Sequence, residues 1–277
     1  MIIYVNALDT PISFNKRDYL LRAEVQYGLG IFKDYRDPGD HEYVLNVEPC
    51  DIQMGSKWTG FWHIDSYLNN NYASQYGLFN AVFVATTNSG RLTHSETAYT
   101  LFQACDPELY HGEVEKQYDF VICGSLGDPL YTKRDKAYSA LKGAGFTYYD
   151  HQKGHTASEY IKKIREARVQ FIRTGEGPGG TCNAAQRFFE CIAIGPVLTN
   201  WTPDLIHTGF VEDEDYLAYR SEEEMLQKMD RLLKDTKYAH RIALNGRMKA
   251  YTYHTYVQRA LAIYNVAKYA DTTISRL

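Results

Sequence analysis

Arg187 and Glu190 stand three residues apart, behind a segment that carries Gly175, Gly177, Gly179 and Gly180. On a helix that spacing puts a cation and a carboxylate on one face. A cation suits a phosphate and a carboxylate suits sugar hydroxyls, so the pair suits a nucleotide. Val169-Gln-Phe-Ile172 reads as a buried strand, the glycines as a turn, and about 181–194 as a helix ended by Gly195 and Pro196. Such a strand, turn and helix aim free N–H groups and a positive dipole end at an anion. Gly179, Gly180 and Thr181 are the candidate backbone donors, with Asn183 and Arg187 in the first turns. The glycine spacing is neither G-x-G-x-x-G nor G-x-x-x-x-G-K-[ST], so an ordinary tight loop explains it equally well. Glu190 lies in the apolar run Phe188–Ile194. A buried carboxylate needs a partner, and a structural cation is the plainer alternative to a ligand.

A second strand-to-helix turn runs from Gly124 through Ser125 to Gly127, with Arg134 on the helix beyond it. Arg134 is a candidate phosphate donor; a solvated helix charge is its plain reading. In the first half, His63 and Asp65 alternate along an expected strand and so share a face. One of them is the candidate base for an acceptor hydroxyl, against a core histidine and a capping aspartate. No metal is expected: His151 and His155 read as loop residues around Gly154, and the cysteines contain no C-x-x-C.

The elements that must carry these residues alternate between strand and helix. Strands are expected at 1–5, 43–47, 60–65, 79–84 and 99–102, with a helix at 19–27. After a polar linker, His111–Gln117, further strands are expected at 119–123, 146–149, 169–172 and 197–199. Helices are expected near 133–142, 160–167, 222–233, 237–244 and 255–270. Thr156-Ala-Ser-Glu159 and Ser221-Glu-Glu-Glu224 read as capping boxes. Alternation of this kind gives parallel sheets, whose ligands bind beyond the carboxyl ends of the strands.

The 277 residues suffice for one large domain or two small ones. A formal charge of −4 argues against an obligate polyanion binder. The 24 tyrosines read first as half-buried rings. Five cysteines without a disulfide framework suggest a reducing, cytoplasmic setting. No apolar run is long enough to span a membrane.

Arg187-Phe-Phe-Glu-Cys-Ile-Ala-Ile-Gly195 resembles the R-x-F-E-x-x-A-x-G segment of the group 1 glycosyltransferases, and most of all their spore-maturation-type branch. Asp106–Tyr110 and Tyr118–Gly124 precede it in the family's order. Thr202-Pro-Asp204, Ser221–Leu226, Arg241-Ile-Ala-Leu-Asn-Gly246 and His254-Thr-Tyr256 with Arg259 follow. The resemblance covers about 100–265. It implies the GT-B fold, two facing Rossmann-like domains with parallel sheets. Residues 1–112 would be the acceptor side, with a terminal helix at about 258–277 returning to it, and 113–257 would hold the nucleotide sugar. The implied reaction moves a hexose or other sugar from a nucleoside-diphosphate sugar to a hydroxyl acceptor, without a cofactor. The acceptor, whether glycan, small molecule, protein or modified nucleic-acid base, stays open. Glu190 would meet the ribose. The family often carries another glutamate eight residues earlier, where this chain has Cys182. Two alternatives therefore stand: a sugar-nucleotide-binding protein without activity, and an enzyme such as an epimerase acting on the sugar nucleotide itself.

Overall fold

Short apolar runs bounded by polar turns become parallel strands in both halves of the chain. The computed structural model describes every residue except 8–15, 40, 49, 64–72, 86–97, 125, 128–130, 151–155, 175–183 and 275–277. Two compact units emerge: Met1–Gln103 with Tyr256–Leu277, and Ala104–Thr255.

The first unit is built on β1 (Ile3–Asn6), β2 (Phe32–Asp34), β3 (Tyr43–Val47), β4 (Trp58–His63), β5 (Ala81–Val84) and β6 (Ala98–Thr100). They form one sheet in the order β2-β1-β3-β4-β5-β6, with every pairing parallel. The strand order turns back between β1 and β3. β3 and β4 are buried along their whole length, as strands covered on both faces must be. Helix α1 (Lys16–Tyr27) packs against the last helix of the chain, α9 (Tyr256–Ile274). Tyr19 and Tyr256 stack there at 4.4 Å between centroids. The buried guanidinium of Arg259 on α9 donates to the carbonyls of Phe102 (2.6 Å) and Gln103 (2.9 Å). It thereby satisfies two acceptors of a segment that leaves the sheet.

The second unit contains α2 (Pro107–Tyr110), β7 (Phe120–Ile122), α3 (Thr132–Gly143), β8 (Tyr148–Asp150), α4 (Ala157–Arg165), β9 (Gln170–Ile172) and α5 (Gln186–Ile192). Then come β10 (Val197–Asn200), α6 (Asp204–His207), β11 (Leu217–Tyr219), α7 (Glu222–Lys234) and α8 (Thr236–Tyr253). β7 pairs with β8, and β9, β10 and β11 pair in sequence, all parallel. The two ladders meet where Arg168 and Val169 donate to the carbonyls of Tyr118 and Asp119. β7 and β9 are thus neighbours, with a helix-linked strand on either side, and the chain reverses direction across the sheet between them. Phe120, Ile122, Val169, Phe171, Leu198 and Leu217 form the core with Tyr138 and Leu141 of α3 and Met225, Met229 and Leu232 of α7. Thr156 and Glu159 make the reciprocal capping box at α4.

Two readings of the sequence need correction, and two strands were not read from it. The helix expected from about 181 begins, among the described residues, at Gln186, because Ala185 is extended (φ −60°, ψ 158°) and serves as its N-cap. The helix expected to stop at Leu244 runs on to Tyr253, through Gly246. A Cβ on Gly246 would lie 2.6 Å from the Asp215 carbonyl oxygen and 2.7 Å from Ile192 Cγ1. The glycine therefore marks the close crossing of α8 with α5 and no helix end. Strands β2 and β11, three residues each and at sheet edges, give too short a pattern to be read in advance.

Arg247, one residue on from Gly246, donates to the carbonyls of Ala193 (3.1 Å) and Ile194 (2.6 Å) and so caps the end of α5. The α5–α8 crossing is then what fixes the helix bearing Arg187 and Glu190. Gly246→Ala should lower the free energy of unfolding in chemical denaturation by about 1–3 kcal/mol, the usual cost of overpacking. A variant as stable as the native chain would show that α8 can shift without consequence.

Candidate functional site

The carboxyl ends of β7 and β9 lie at the point where strand order reverses, which is where open α/β sheets bind ligands. Two arginines cross this point in opposite directions. Arg134, on the helix after β7, donates Nε to the carbonyl of Arg173 after β9 (2.8 Å). Arg187, on the helix after β9, donates Nη1 to the carbonyl of Cys123 after β7 (2.5 Å). Gly124 lies beneath them with φ +94°, a conformation that glycine adopts without strain. A Cβ there would meet Arg134 Nη1 at 2.8 Å and Arg187 Nη1 at 3.2 Å. The glycine thus leaves room for two guanidinium groups to converge.

Each arginine also rests on a tyrosine: Arg134 is 4.3 Å from the Tyr131 ring centroid and Arg187 is 5.9 Å from that of Tyr160. Convergence of two cations has a cost. At roughly 6 Å and an effective dielectric constant near 20 they repel by about 3 kcal/mol. An anion between them would reverse that sign. Among the described residues, the buried Nε of Arg187 has no hydrogen-bond partner. Both observations fit a site made for phosphate.

Glu190 is 5% exposed and lies one turn along α5 from Arg187. Its carboxylate accepts from Gln186 Nε2 (2.5 Å) and from the Tyr160 hydroxyl (3.0 Å). Burial, followed by the charge of Glu190, pushes the Tyr160 hydroxyl well above the usual phenol range, so it donates. Tyr138 braces the strand end beneath: its hydroxyl donates to the Cys123 carbonyl and accepts from the Cys123 N–H, both at 3.2 Å. Burial raises the Cys123 thiol to about 11, which keeps it protonated and inert as a nucleophile. Asn200, the last residue of β10, accepts at Oδ1 from the N–H of Thr174, which follows β9 (2.8 Å).

Of the residues singled out in the sequence, the structure thus brings Gly124, Arg134, Arg187 and Glu190 together in the second unit. Ser125, Gly179, Gly180, Thr181 and Asn183 lie outside the described residues, as does Asp65. In the first unit His63 is the last residue of β4 and is wholly buried. Its Nδ1 is hydrogen-bonded to the Tyr76 hydroxyl, and its Nε2 lies 3.5 Å from Glu48 Oε2. Tyr160, Glu48 and Tyr76 carried no signal, since none stands in a spaced motif with its partner; Gln186, four residues before Glu190 on the helix, did have that spacing. The expectation of no metal also took the sequence to lack an Asp-x-Asp triplet, which is wrong: Asp213-Glu214-Asp215 is one. Asp215 is buried and accepts from Lys249 Nζ (2.5 Å) and the Val211 N–H (2.7 Å). Asp213 takes the left-handed conformation of a turn, φ 66°. Among the described residues, no group of three or more His, Cys, Asp and Glu side chains is placed to hold a metal ion.

The same stretch of chain decides the family. A profile described as glycosyl transferase-like matches residues 108–265, more than half of the 277. The chain belongs to this glycosyl transferase-like family. The transferase accordingly moves a sugar from a nucleotide sugar. No curated protein matches its sequence significantly. Solved structures resemble it at low identity. Anabaena HepE, solved with UDP-glucose, aligns at TM-score 0.61 and 10% identity over 100% of this chain and 99% of its own. A DNA-modifying β-glucosyltransferase, solved with and without uridine diphosphoglucose, gives 0.57 and 11% over 97% and 100%. Sucrose-phosphate synthase from Thermosynechococcus elongatus gives 0.57 and 11% over 92% and 78%. These likenesses establish the fold of the transferase as α/β with parallel sheets, as in GT-B glycosyltransferases. No helix among its described residues is long and apolar enough to cross a membrane.

Gly124 offers a direct test of the converging arginines. Gly124→Ala would force a guanidinium aside and demand a strained backbone. Binding of inorganic pyrophosphate to the transferase, followed by calorimetry, should weaken about tenfold or more, while the circular dichroism spectrum stays native. Unchanged binding would mean that the arginines do not meet the anion at this point.

Proposed function

We propose that the donor is a uridine-diphosphate hexose, with UDP-glucose as the first candidate, and that Arg134 and Arg187 hold its diphosphate. The observation that carries this reading is the convergence of two cations over Gly124, one helical turn from the buried carboxylate of Glu190. Cleavage of the sugar–oxygen bond leaves the electron pair, and a growing negative charge, on the diphosphate. Two arginines already aimed at that oxygen stabilise it without reorganising. Glu190 accepts hydrogen bonds from the ribose hydroxyls and so fixes the position of the anomeric carbon. The complexes of HepE and of the DNA-modifying enzyme with UDP-glucose support the choice of base and sugar.

The acceptor is a hydroxyl compound, and its proton must go to a base as the new bond forms. We assign that step to Asp65, two residues beyond His63 in the sequence. His63, held by Tyr76 and Glu48, fixes the end of the strand from which Asp65 follows. Asp65→Asn should keep the native affinity for UDP and lose transfer by 10²-fold or more. Near-normal transfer would remove the base assignment.

The donor assignment is tested on Glu190. A hydrogen bond to a charged group contributes roughly 1.5–3 kcal/mol, so Glu190→Ala should bind UDP about 10- to 100-fold more weakly in calorimetry. The native transferase, given UDP-glucose and a panel of hydroxyl acceptors, should release UDP and glycosylate one of them. Native affinity in a folded Glu190→Ala protein, or an isomerised nucleotide sugar as product, would overturn the reading.

A further inference from the structure

We infer that Tyr160 is the residue that sets the ribose and diphosphate ends of the donor site in register, a positioning role that rests on the donor reading above. Tyr160 comes from α4, a different element from the helix that bears Arg187 and Glu190. It acts on both at once. Its hydroxyl donates to Glu190 Oε2 at 3.0 Å, and its ring lies 5.9 Å from the guanidinium carbon of Arg187.

The second donor to Glu190, Gln186 Nε2, reaches the other oxygen at 2.5 Å. Gln186 and Glu190 are four apart on α5, so that bond merely follows the helix. It meets one oxygen of the carboxylate. Tyr160 adds a fixed point on the second oxygen, from outside the helix, and so defines the carboxylate plane. On the other side, the face of an aromatic ring attracts the guanidinium and limits its swing.

The placement of Tyr160 is itself secured. Thr156 and Glu159 cap α4 immediately before it, Thr156 N donating to Glu159 Oε2 at 2.7 Å. Ile161 and Ile164 are buried, and Ile164, four residues on, anchors the same face of the helix as Tyr160. The Tyr160 hydroxyl remains a donor, because burial and then the Glu190 charge oppose its ionisation. A phenylalanine would keep the ring beside Arg187 and lose the bond to Glu190.

That difference supplies the experiment. Tyr160→Phe, Tyr160→Leu and Glu190→Ala are each titrated with UDP, with its 2′,3′-dideoxy analogue and with inorganic pyrophosphate. Tyr160→Phe should bind UDP about tenfold more weakly, and bind the dideoxy analogue and pyrophosphate as the native protein does. In the double variant with Glu190→Ala, the phenylalanine should add nothing further, since the group it positions is gone. Tyr160→Leu should show the same loss with UDP and should also weaken pyrophosphate about two- to fivefold. Either variant alone decides the ribose arm if the other does not fold. Native UDP affinity in Tyr160→Phe, beside a weakened Glu190→Ala, overturns the positioning role and leaves the donor reading intact. An equal loss on all three probes in Tyr160→Phe overturns it too, as a general loosening of the fold. Native UDP affinity in Glu190→Ala sinks the donor reading instead.

Discussion

Two guanidinium groups exchanged across one pair of strand ends organise the second unit. Arg134 reaches from the helix after β7 to the end of β9, and Arg187 reaches back from the helix after β9 to the end of β7. Each satisfies a backbone carbonyl that the ladder has left open. The same two bonds fix the separation of β7 and β9 at the point where the strand order reverses. That reversal opens the crevice, and the arginines furnish its charge. A single glycine with positive φ makes their approach sterically possible.

The surroundings hold both arginines in place. Tyr131 and Tyr160 lie under them, and Cys123 and Arg173 accept from them. The abundance of tyrosine in this chain thus has two parts. Many rings fill the interior, as Tyr138 does beside Phe120 and Phe171. A few use a hydroxyl at the edge of the core to orient a polar neighbour, as Tyr160 does for Glu190 and Tyr76 for His63.

Motif residues that look alike in a sequence divide by role once folded. Glu190 and Arg187 face the crevice. Gly246 and Arg247 do not: the first lets α8 approach α5, and the second closes the carbonyl end of α5. Arg259 serves the first unit by binding the carbonyls of Phe102 and Gln103. Gly246 and Arg247 act on the site only through the helix they hold.

The sequence by itself determined the alternation of strands and helices, the parallel sheets, the family, and the pairing of Arg187 with Glu190. These are local matters: apolar runs, capping boxes such as Thr156–Glu159, and a three-residue spacing on a helix are all written in contiguous residues. Edge strands β2 and β11, too short to show a period, were not legible, and Gly246 was misread because a missing Cβ looks the same at a helix end as at a helix crossing. Only the tertiary structure decided that Arg134 and Arg187 converge on Gly124, 10 and 63 positions away in the chain, and that Tyr160 reaches Glu190 across 30. It also buried His63 between Tyr76 and Glu48. Such contacts depend on the order of strands in a sheet, and strand order is fixed by which faces can be buried together, a property of the whole chain that no single segment carries.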